Sequence, residues 1–158
     1  MSEDLRETFW TGLAKSPYLM VRLDAAHDHA IPMTAILDKE IGPEKGGAFW
    51  FFTSKGSRLE AGGPAMAQFV GKGHDLFACI SGTLVPEHDQ TVIDRLWSNP
   101  IEAWFEGGRH DPDLLVLRYD LTDVELWKAD LGVKGYFKLM TGKTIDPGEA
   151  GKHSAFTF

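Results

Sequence analysis

The chain has 158 residues, of which 43% are hydrophobic and 25% charged, with a formal net charge of −7. This composition excludes collagen, coiled coil and intrinsic disorder, and the length favours a single domain over residues 1–158. The negative charge argues against nucleic acid as a partner, because a phosphate backbone requires a basic surface. The polar, acidic start, the lone Cys79 and the lack of an apolar run of about 18 residues predict a cytoplasmic protein with no signal peptide and no membrane contact.

The first half of the chain reads as one helix followed by strands. Apolar residues four apart predict an amphipathic helix over Asp4–Lys15, with Asp4 as its N-cap. Strands are then predicted at Tyr18–Leu23, His29–Leu37 and Ala48–Thr53, with a loop at Lys39–Gly47 before the last of them. Pro32 within the second strand implies a sheet edge or a bulge.

The second half mixes helices and strands. Ser57 is predicted to cap a helix that continues to Val70, and further helices are predicted at Glu87–Trp97 and Ile101–Phe105. Strands are predicted at Asp75–Val85 with a bulge at Gly82, at Asp113–Tyr119, at Thr122–Lys128 after a break at Asp120-Leu121, and at Ala155–Phe158. Because most strands are neighbours in sequence, the pattern favours a mainly β (α+β) fold, an antiparallel barrel with peripheral helices.

Hydroxyls and cations cluster where the strand over Ala48–Thr53 ends. Lys55, Ser57 and Arg58 follow within a few residues, and a helix beginning at Ser57 would add free backbone N–H groups. Arg58 can hold a phosphate through two hydrogen bonds. The segment therefore predicts a phosphate site, and a solvated polar turn is the alternative.

Other candidate sites have weaker patterns. Because Pro32 has no backbone N–H, a carbonyl of a neighbouring strand would lack its donor at this position. Either a ligand binds there, or Pro32 simply lies on an edge strand. The histidines have no spacing typical of a metal site, so no metal is predicted. Trp104, Phe105 and Trp127 are candidates to stack on a planar ligand, with burial in the core as the alternative.

Four segments together resemble the general stress protein branch of the pyridoxamine 5'-phosphate oxidase-like superfamily of FMN-binding split barrels. These are HAIPM (29–33), AFWFFTSKGSR (48–58), ISGTLV (80–85) and AWFEGGRHDPDLLVLRYDLTDVELW (103–127). The last is the most specific, with its WF-x-GG-x-x-DP core. The resemblance covers about residues 5–130, and the tail over 130–158 matches least.

The resemblance implies an antiparallel split β-barrel, a homodimer and FMN, with FAD as the other option, bound in a groove between subunits. The residues that it places beside the flavin ring and ribityl chain are Ile31, Pro32, Met33, Thr34, Phe51, Phe52, Thr53 and Ser54. It assigns the phosphate to Ser57 and Arg58, with Lys55 as a further cation, and brings Trp127 from the partner subunit.

The chain departs from the family pattern at three points. Ile31 and Leu59 stand where the family usually has an arginine and a lysine. The stretch KADLGVKGYF after Trp127 has neither arginine nor histidine, so pyridoxamine 5'-phosphate oxidase activity itself is not implied. Three functions stay open: a flavin-dependent oxidoreductase with an unknown substrate, a non-catalytic flavin-binding or flavin-buffering stress module, and a haem-binding split barrel.

Overall fold

The computed structural model describes residues 3–40, 47–129, 140, 142 and 151–158. The first helix, α1, spans Glu3–Lys15 and buries Leu5, Phe9 and Leu13 against the sheet, as the four-residue spacing predicts. It begins before Asp4, so the predicted N-cap is wrong and Asp4 lies inside the helix. The loop predicted over Lys39–Gly47 falls mainly outside the described residues.

Seven antiparallel strands form one sheet. They are β1 (Tyr18–Leu23), β2 (Ile31–Thr34), β3 (Ala48–Ser54), β4 (Gly63–Val70), β5 (Leu76–Pro86), β6 (Leu114–Ala129) and β7 (Gly151–Thr157). Their order is β2-β1-β4-β5-β6-β3, with β7 also paired to β6. Two short helices, α2 (Gln90–Leu96) and α3 (Asn99–Glu102), and a 3-10 turn at Gly108–His110 connect β5 to β6. The fold is therefore mainly β with peripheral helices, and the predicted class is confirmed.

The predicted helix from Ser57 to Val70 is wrong. The chain makes turns through residues 55–61 and then forms β4, which pairs with β1 on one side and β5 on the other. Ala65, Ala67 and Phe69 are buried at alternate positions, which is the period of a strand. The apolar spacing of this segment also suits a helix, and pairing along both of its edges is what makes it a strand.

The predicted break at Asp120-Leu121 is also wrong, because β6 continues through it as one strand of 16 residues. One edge of β6 pairs with β5 along its length, and the other pairs first with β3 and then with β7. The predicted bulge in β5 is confirmed, since the register shifts between Ser81 and Gly82. A Cβ at Gly82 would lie 2.6 Å from the carbonyl oxygen of Asp120, so only glycine allows this approach.

The edge strand β2 is shorter than the predicted His29–Leu37, and it pairs with β1 alone, as Pro32 predicts. Just after β2, Ile36 and Trp50 exchange backbone hydrogen bonds of 2.8 and 3.0 Å in an isolated bridge. This bridge is where the two ends of the sheet meet, and no continuous ladder closes the sheet there. The result is a curved, incompletely closed sheet.

Two apolar clusters hold the elements together. Inside the curved sheet, Phe49, Phe51 and Tyr119 pack with centroid distances of 5.4 to 6.0 Å. On the outside of β3, Trp50 and Leu96 belong to a second cluster that seats α2. The helix α2 starts three residues later than predicted and is capped by Asp89. The helix α3 starts two residues earlier than predicted, and residues 103–104 form a turn instead of helix. No helix among the described residues is long and apolar enough to span a membrane.

Candidate functional site

A groove of about 660 Å³ lies where β2, the end of β3 and residues 98–105 meet. Residues 98–105, which include α3, are called the α3 segment below. This volume is in the range of small-molecule sites, about 300–1,000 Å³. The groove brings together six of the residues implied by the resemblance, which come from two separate segments: Pro32, Met33, Thr34, Phe52, Thr53 and Ser54. It is therefore the candidate site.

The first wall is β2, and its alternation decides which side chains reach the groove. Pro32 and Thr34 point away from the core and are exposed, whereas Ile31 and Met33 are half-buried and pack on the main core cluster. Met33 still lines the groove, but Ile31 does not. Ile31 thus lies one residue away from the site and contributes to the interior.

The second wall is the end of β3. Phe51 is completely buried in the interior, and so it supports the wall without lining the groove. Phe52 and Thr53 are half-buried at the groove, and Ser54 is exposed at its edge. The Phe52 ring lies 5.9 Å from that of Trp97, which fixes it against the helical connection.

The third wall was not predicted as a unit. It comes from the α3 segment, which contributes Ser98, Pro100, Ile101, Trp104 and Phe105. Sequence reasoning singled out only the two aromatic residues of this wall, as stacking candidates. The others show no local signal, because their place depends on where α2 crosses the sheet.

The turn after Ser54 differs from the predicted helix start. Ser57 N–H donates to the Ser54 carbonyl at 3.1 Å, and Ser57 Oγ accepts from Leu59 N–H at 3.2 Å. Gly56 has a φ of +87° and donates its N–H to Glu60 Oε2 at 2.7 Å. No helix begins here, so the predicted contribution of a helix N-terminus to a phosphate site is wrong.

The cations of the turn remain exposed beyond the groove's edge. The backbone N–H of Lys55 donates to the Asp113 carbonyl, which leaves the side chain pointing to solvent. Arg58 Nη1 donates to the His29 carbonyl oxygen at 3.1 Å. Arg58 therefore links the turn after β3 to the chain entering β2.

Trp127 lies far from the groove of its own chain. Leu114, at the start of β6, pairs with Ser54 at the groove, and Trp127 comes 13 residues later, or roughly 40 Å of strand. Its ring stacks on His153 of β7 with a centroid distance of 5.0 Å. His153 Nε2 lies 2.8 Å from Glu125 Oε1. Trp127 and the groove therefore lie toward opposite ends of β6.

Two other clefts border the described structure. One of about 430 Å³ adjoins the groove through Thr34 and Ser98 and contains the ion pair between Asp38 and Arg95. The other, about 460 Å³, lies between α1 and the β4–β5 turn and contains none of the predicted site residues. Within the described residues, no group of histidine, cysteine or carboxylate side chains is arranged to hold a metal.

Comparisons with known proteins agree with this architecture. The family model described as "Pyridoxamine 5'-phosphate oxidase like" matches residues 4–146. A general stress FMN/FAD binding protein from Xanthomonas citri is 40% identical, with a TM-score of 0.75 over 84% of this chain and 94% of that one.

Two further solved structures extend the similarity along the chain. A protein from Jannaschia sp. CCS1 assigned to general stress protein 26 is 29% identical, with a TM-score of 0.79 over 99% of this chain and 100% of that one. A protein from Clostridium acetobutylicum related to general stress protein 26 shares the fold at 16% identity, with a TM-score of 0.68 over 99% of this chain and 96% of that one. No curated protein matches the chain.

Proposed function

The chain belongs to the pyridoxamine 5'-phosphate oxidase like family, and from that premise we propose that it binds a flavin, FMN or FAD, in the groove between β2, β3 and the α3 segment. The observation that carries the proposal is the convergence of Pro32–Thr34 and Phe52–Ser54 on one groove. The relative from Xanthomonas citri is described as an FMN/FAD binding protein, which supports the same cofactor here.

The chemistry of the groove suits a flavin. Its walls are mainly apolar and aromatic, as an isoalloxazine ring requires, and hydroxyls of Thr34, Thr53 and Ser54 are available to the polar atoms of the ring and ribityl chain. Lys55 and Arg58 follow at the groove's edge, where a phosphate needs cations.

Two of the three departures from the family pattern, at Ile31 and Leu59, have a structural account. Ile31 packs on the main core cluster, and Leu59 is buried in that same cluster. In this chain both positions serve the interior and supply no cation. Arg58 is then the main cation for the phosphate, so its removal is the sharpest single test of the binding mode.

A bound flavin supplies electron transfer through its N5 atom, and the protein supplies position and exclusion of water. We propose a flavin-dependent oxidoreductase of the general stress type. The second candidate is a non-catalytic flavin-binding module, and one observation favours it: among the described residues that line the groove, none is charged or a histidine. In this part of the chain the Tyr18 phenol is the only lining group that could serve as a general acid or base.

We further propose that the chain forms a homodimer that completes the flavin site. Val70, Phe77 and Trp127 are exposed apolar residues on three adjacent strands, and the register pairs each with the next. Side chains at paired positions share one face, so they form a continuous apolar row on the outside of the sheet. Such a row suits a second copy of the chain, which would also bring Trp127 toward the groove.

Titration of the purified protein with FMN and FAD tests the proposal. We expect quenched flavin fluorescence and a higher Tm, because a ligand of the native state stabilises it. No change in Tm with either flavin in large excess would contradict flavin binding. Consumption of NADPH by the loaded protein would favour the oxidoreductase over the binding module, and a Soret band with no flavin binding would favour a haem protein.

A further inference from the structure

The motif WF-x-GG-x-x-DP, at residues 104–112, is shaped by its phenylalanine, its two glycines and its aspartate. Phe105 is buried and anchors the segment. Gly107 is required because a Cβ there would lie 2.8 Å from the Cα of Asp111, and Gly108 has a φ of +66°. The Asp111 carboxylate accepts the backbone N–H groups of Gly107 and Asp113, both at 2.9 Å.

Trp104 is the exception. Its side chain is 84% exposed, the largest value among the large hydrophobic residues that the structure describes. Burial of a tryptophan ring is strongly favourable, so an exposed one is not explained by folding. Its neighbours Ile101 and Phe105 are buried, which shows that the segment already has its anchors without it.

The position of Trp104 is nevertheless fixed. Its backbone N–H donates to the Ile101 carbonyl at 3.1 Å, and Phe105 N–H donates to the Glu102 carbonyl at 3.1 Å. Trp104 lines the groove from the α3 segment, whereas the expected flavin contacts come from β2 and β3. Tyr18, also largely exposed, lines the same groove. The mouth of the groove is thus aromatic, and the backbone that carries Trp104 is held in place before any ligand binds.

We propose that Trp104 is a specificity-determining residue that stacks on a second planar aromatic molecule, an uncharged one, which the groove accepts together with the flavin. This deepens the proposed function and rests on it. The uncharged class follows from the lining, where the described residues offer aromatic faces and the hydroxyls of Thr34 and Ser98 but no charged side chain to pair with an ionic group. Stacking on a fixed indole gives affinity for any flat aromatic ring.

The test uses protein loaded with oxidised FMN and two probes with the same rings, 1,4-naphthoquinone and its anionic 2-sulfonate, with binding measured by calorimetry. We expect the wild type to prefer the neutral probe. Trp104→Ala should weaken that probe about tenfold or more, Trp104→Phe should retain most of the affinity, and Glu106→Ala, an exposed neighbour outside the groove, should change nothing. Glu106→Ala should bind FMN as the wild type does, and the two Trp104 variants should lose less affinity for FMN than for the neutral probe.

Several outcomes would overturn the inference. They are unchanged probe affinity in Trp104→Ala, equal affinity of the wild type for the anionic probe, or an equal loss of FMN affinity, which would make Trp104 a flavin contact. Loss of the dimer in Trp104→Ala would make it an interface residue instead. Failure of the wild type to bind FMN contradicts the proposed function and removes this inference with it, whereas normal FMN binding with unchanged probe affinity contradicts this inference alone.

Discussion

Arg95 donates two hydrogen bonds to Oδ2 of Asp38, from Nε at 3.0 Å and from Nη2 at 2.6 Å. Asp38 is only 1% exposed, and its other oxygen accepts the backbone N–H of Glu40 at 3.1 Å. Donation of these hydrogen bonds to the Asp38 carboxylate holds the pKa of Arg95 above its ordinary value. The pair joins α2, which precedes the third wall in the chain, to the segment that leaves β2, the first wall.

We expect substitutions at Asp38 and at Arg95 to lower the stability by different amounts. Asp38→Asn replaces charged hydrogen bonds by neutral ones and should cost about 1–2 kcal/mol, or roughly 2–8 °C in Tm. Arg95→Met should lower Tm further, because it leaves a buried carboxylate without its guanidinium. The double variant should lose less than the sum of the two single losses. Additive losses, measured by thermal unfolding, would mean that the two side chains do not act as a pair.

Tyr119 offers a second test of stability, in the centre of the sheet. Its hydroxyl lies 2.8 Å from the carbonyl oxygen of Ala65 and 2.6 Å from that of Ile80. Tyr119→Phe removes this donor and should cost about 1–2 kcal/mol by urea denaturation. Tyr18→Phe, at an exposed tyrosine, is the control and should cost almost nothing.

The same variant should change the alkaline limit of stability. Burial raises the pKa of Tyr119 above its ordinary value. In the unfolded chain the hydroxyl ionises near pH 10, so the unfolded state loses its proton first and stability falls as the pH rises above about 10. Tyr119→Phe should show a shallower decline in this range. An identical decline in both proteins would contradict the assignment.

Local patterns predict those parts of the fold that local patterns determine. The four-residue spacing in α1 and the aromatic run of β3 were sufficient, and both elements were predicted to within one residue. The strand β4 was predicted wrongly, as a helix, because Met66, Phe69 and Val70 fit helical spacing as well as strand alternation. Its pairing on both edges is a long-range property that the segment alone does not contain.

The candidate site divides in the same way. Two of its walls are strand ends, and the resemblance in their sequences was enough to bring Pro32 and Thr53 into one hypothesis. The third wall depends on the contact between Asp38 and Arg95, which are 57 residues apart. A side chain such as Ile101 reaches the groove because long-range contacts, this ion pair and the packing of Leu96 beside Trp50, hold α2 on the sheet, and no local pattern predicts them.

Asp111 gives a prediction for acidic pH. Hydrogen bonds from the backbone N–H groups of Asp113 and Gly107 hold the pKa of its carboxyl below the ordinary value of about 4. A lowered folded-state pKa means that this stabilisation is complete above pH 4 and is lost as the pH falls through the lower value. Asp111→Asn should therefore be less stable than the wild type at pH 7, with a difference that shrinks in acid.

The control for this prediction is Asp113→Asn. It removes the same charge two residues along the chain, but the Asp113 carboxylate accepts neither of these two hydrogen bonds. It should leave Tm nearly unchanged at pH 7. A stability difference for Asp111→Asn that is constant from pH 7 down to about 2.5 would mean that the variant acts through shape and not through the carboxylate.

Arg58 tests the mode of flavin binding. If it is the main cation for the phosphate, Arg58→Ala should weaken FMN by about 1.5–3 kcal/mol, or roughly 10- to 150-fold, the size of a hydrogen bond to a charged group. Riboflavin, which has no phosphate, should lose little. Lys72→Ala removes one positive charge outside the groove and should leave both affinities unchanged. Equal losses for FMN and riboflavin, in a fluorescence titration, would place Arg58 away from the phosphate.

The last prediction concerns assembly. The apolar row of Val70, Phe77 and Trp127 on the outside of the sheet should be covered by a second copy in a C2 dimer. We expect an interface well above the roughly 1,600 Å² of a standard complex. Phe77→Asp places a charge in the middle of the row and should sediment as a monomer, whereas Ala25→Asp, in the exposed turn after β1, adds the same charge and should remain dimeric.

If Trp127 reaches the groove from a second copy, as proposed above, flavin affinity should follow assembly. Phe77→Asp should bind FMN more weakly than Ala25→Asp, and dilution of the wild type into monomers should release flavin. Analytical ultracentrifugation with detection of flavin absorbance measures both quantities in one experiment. A monomer that retains one tightly bound flavin at nanomolar protein concentration would exclude the shared site, and with it the role assigned to Trp127.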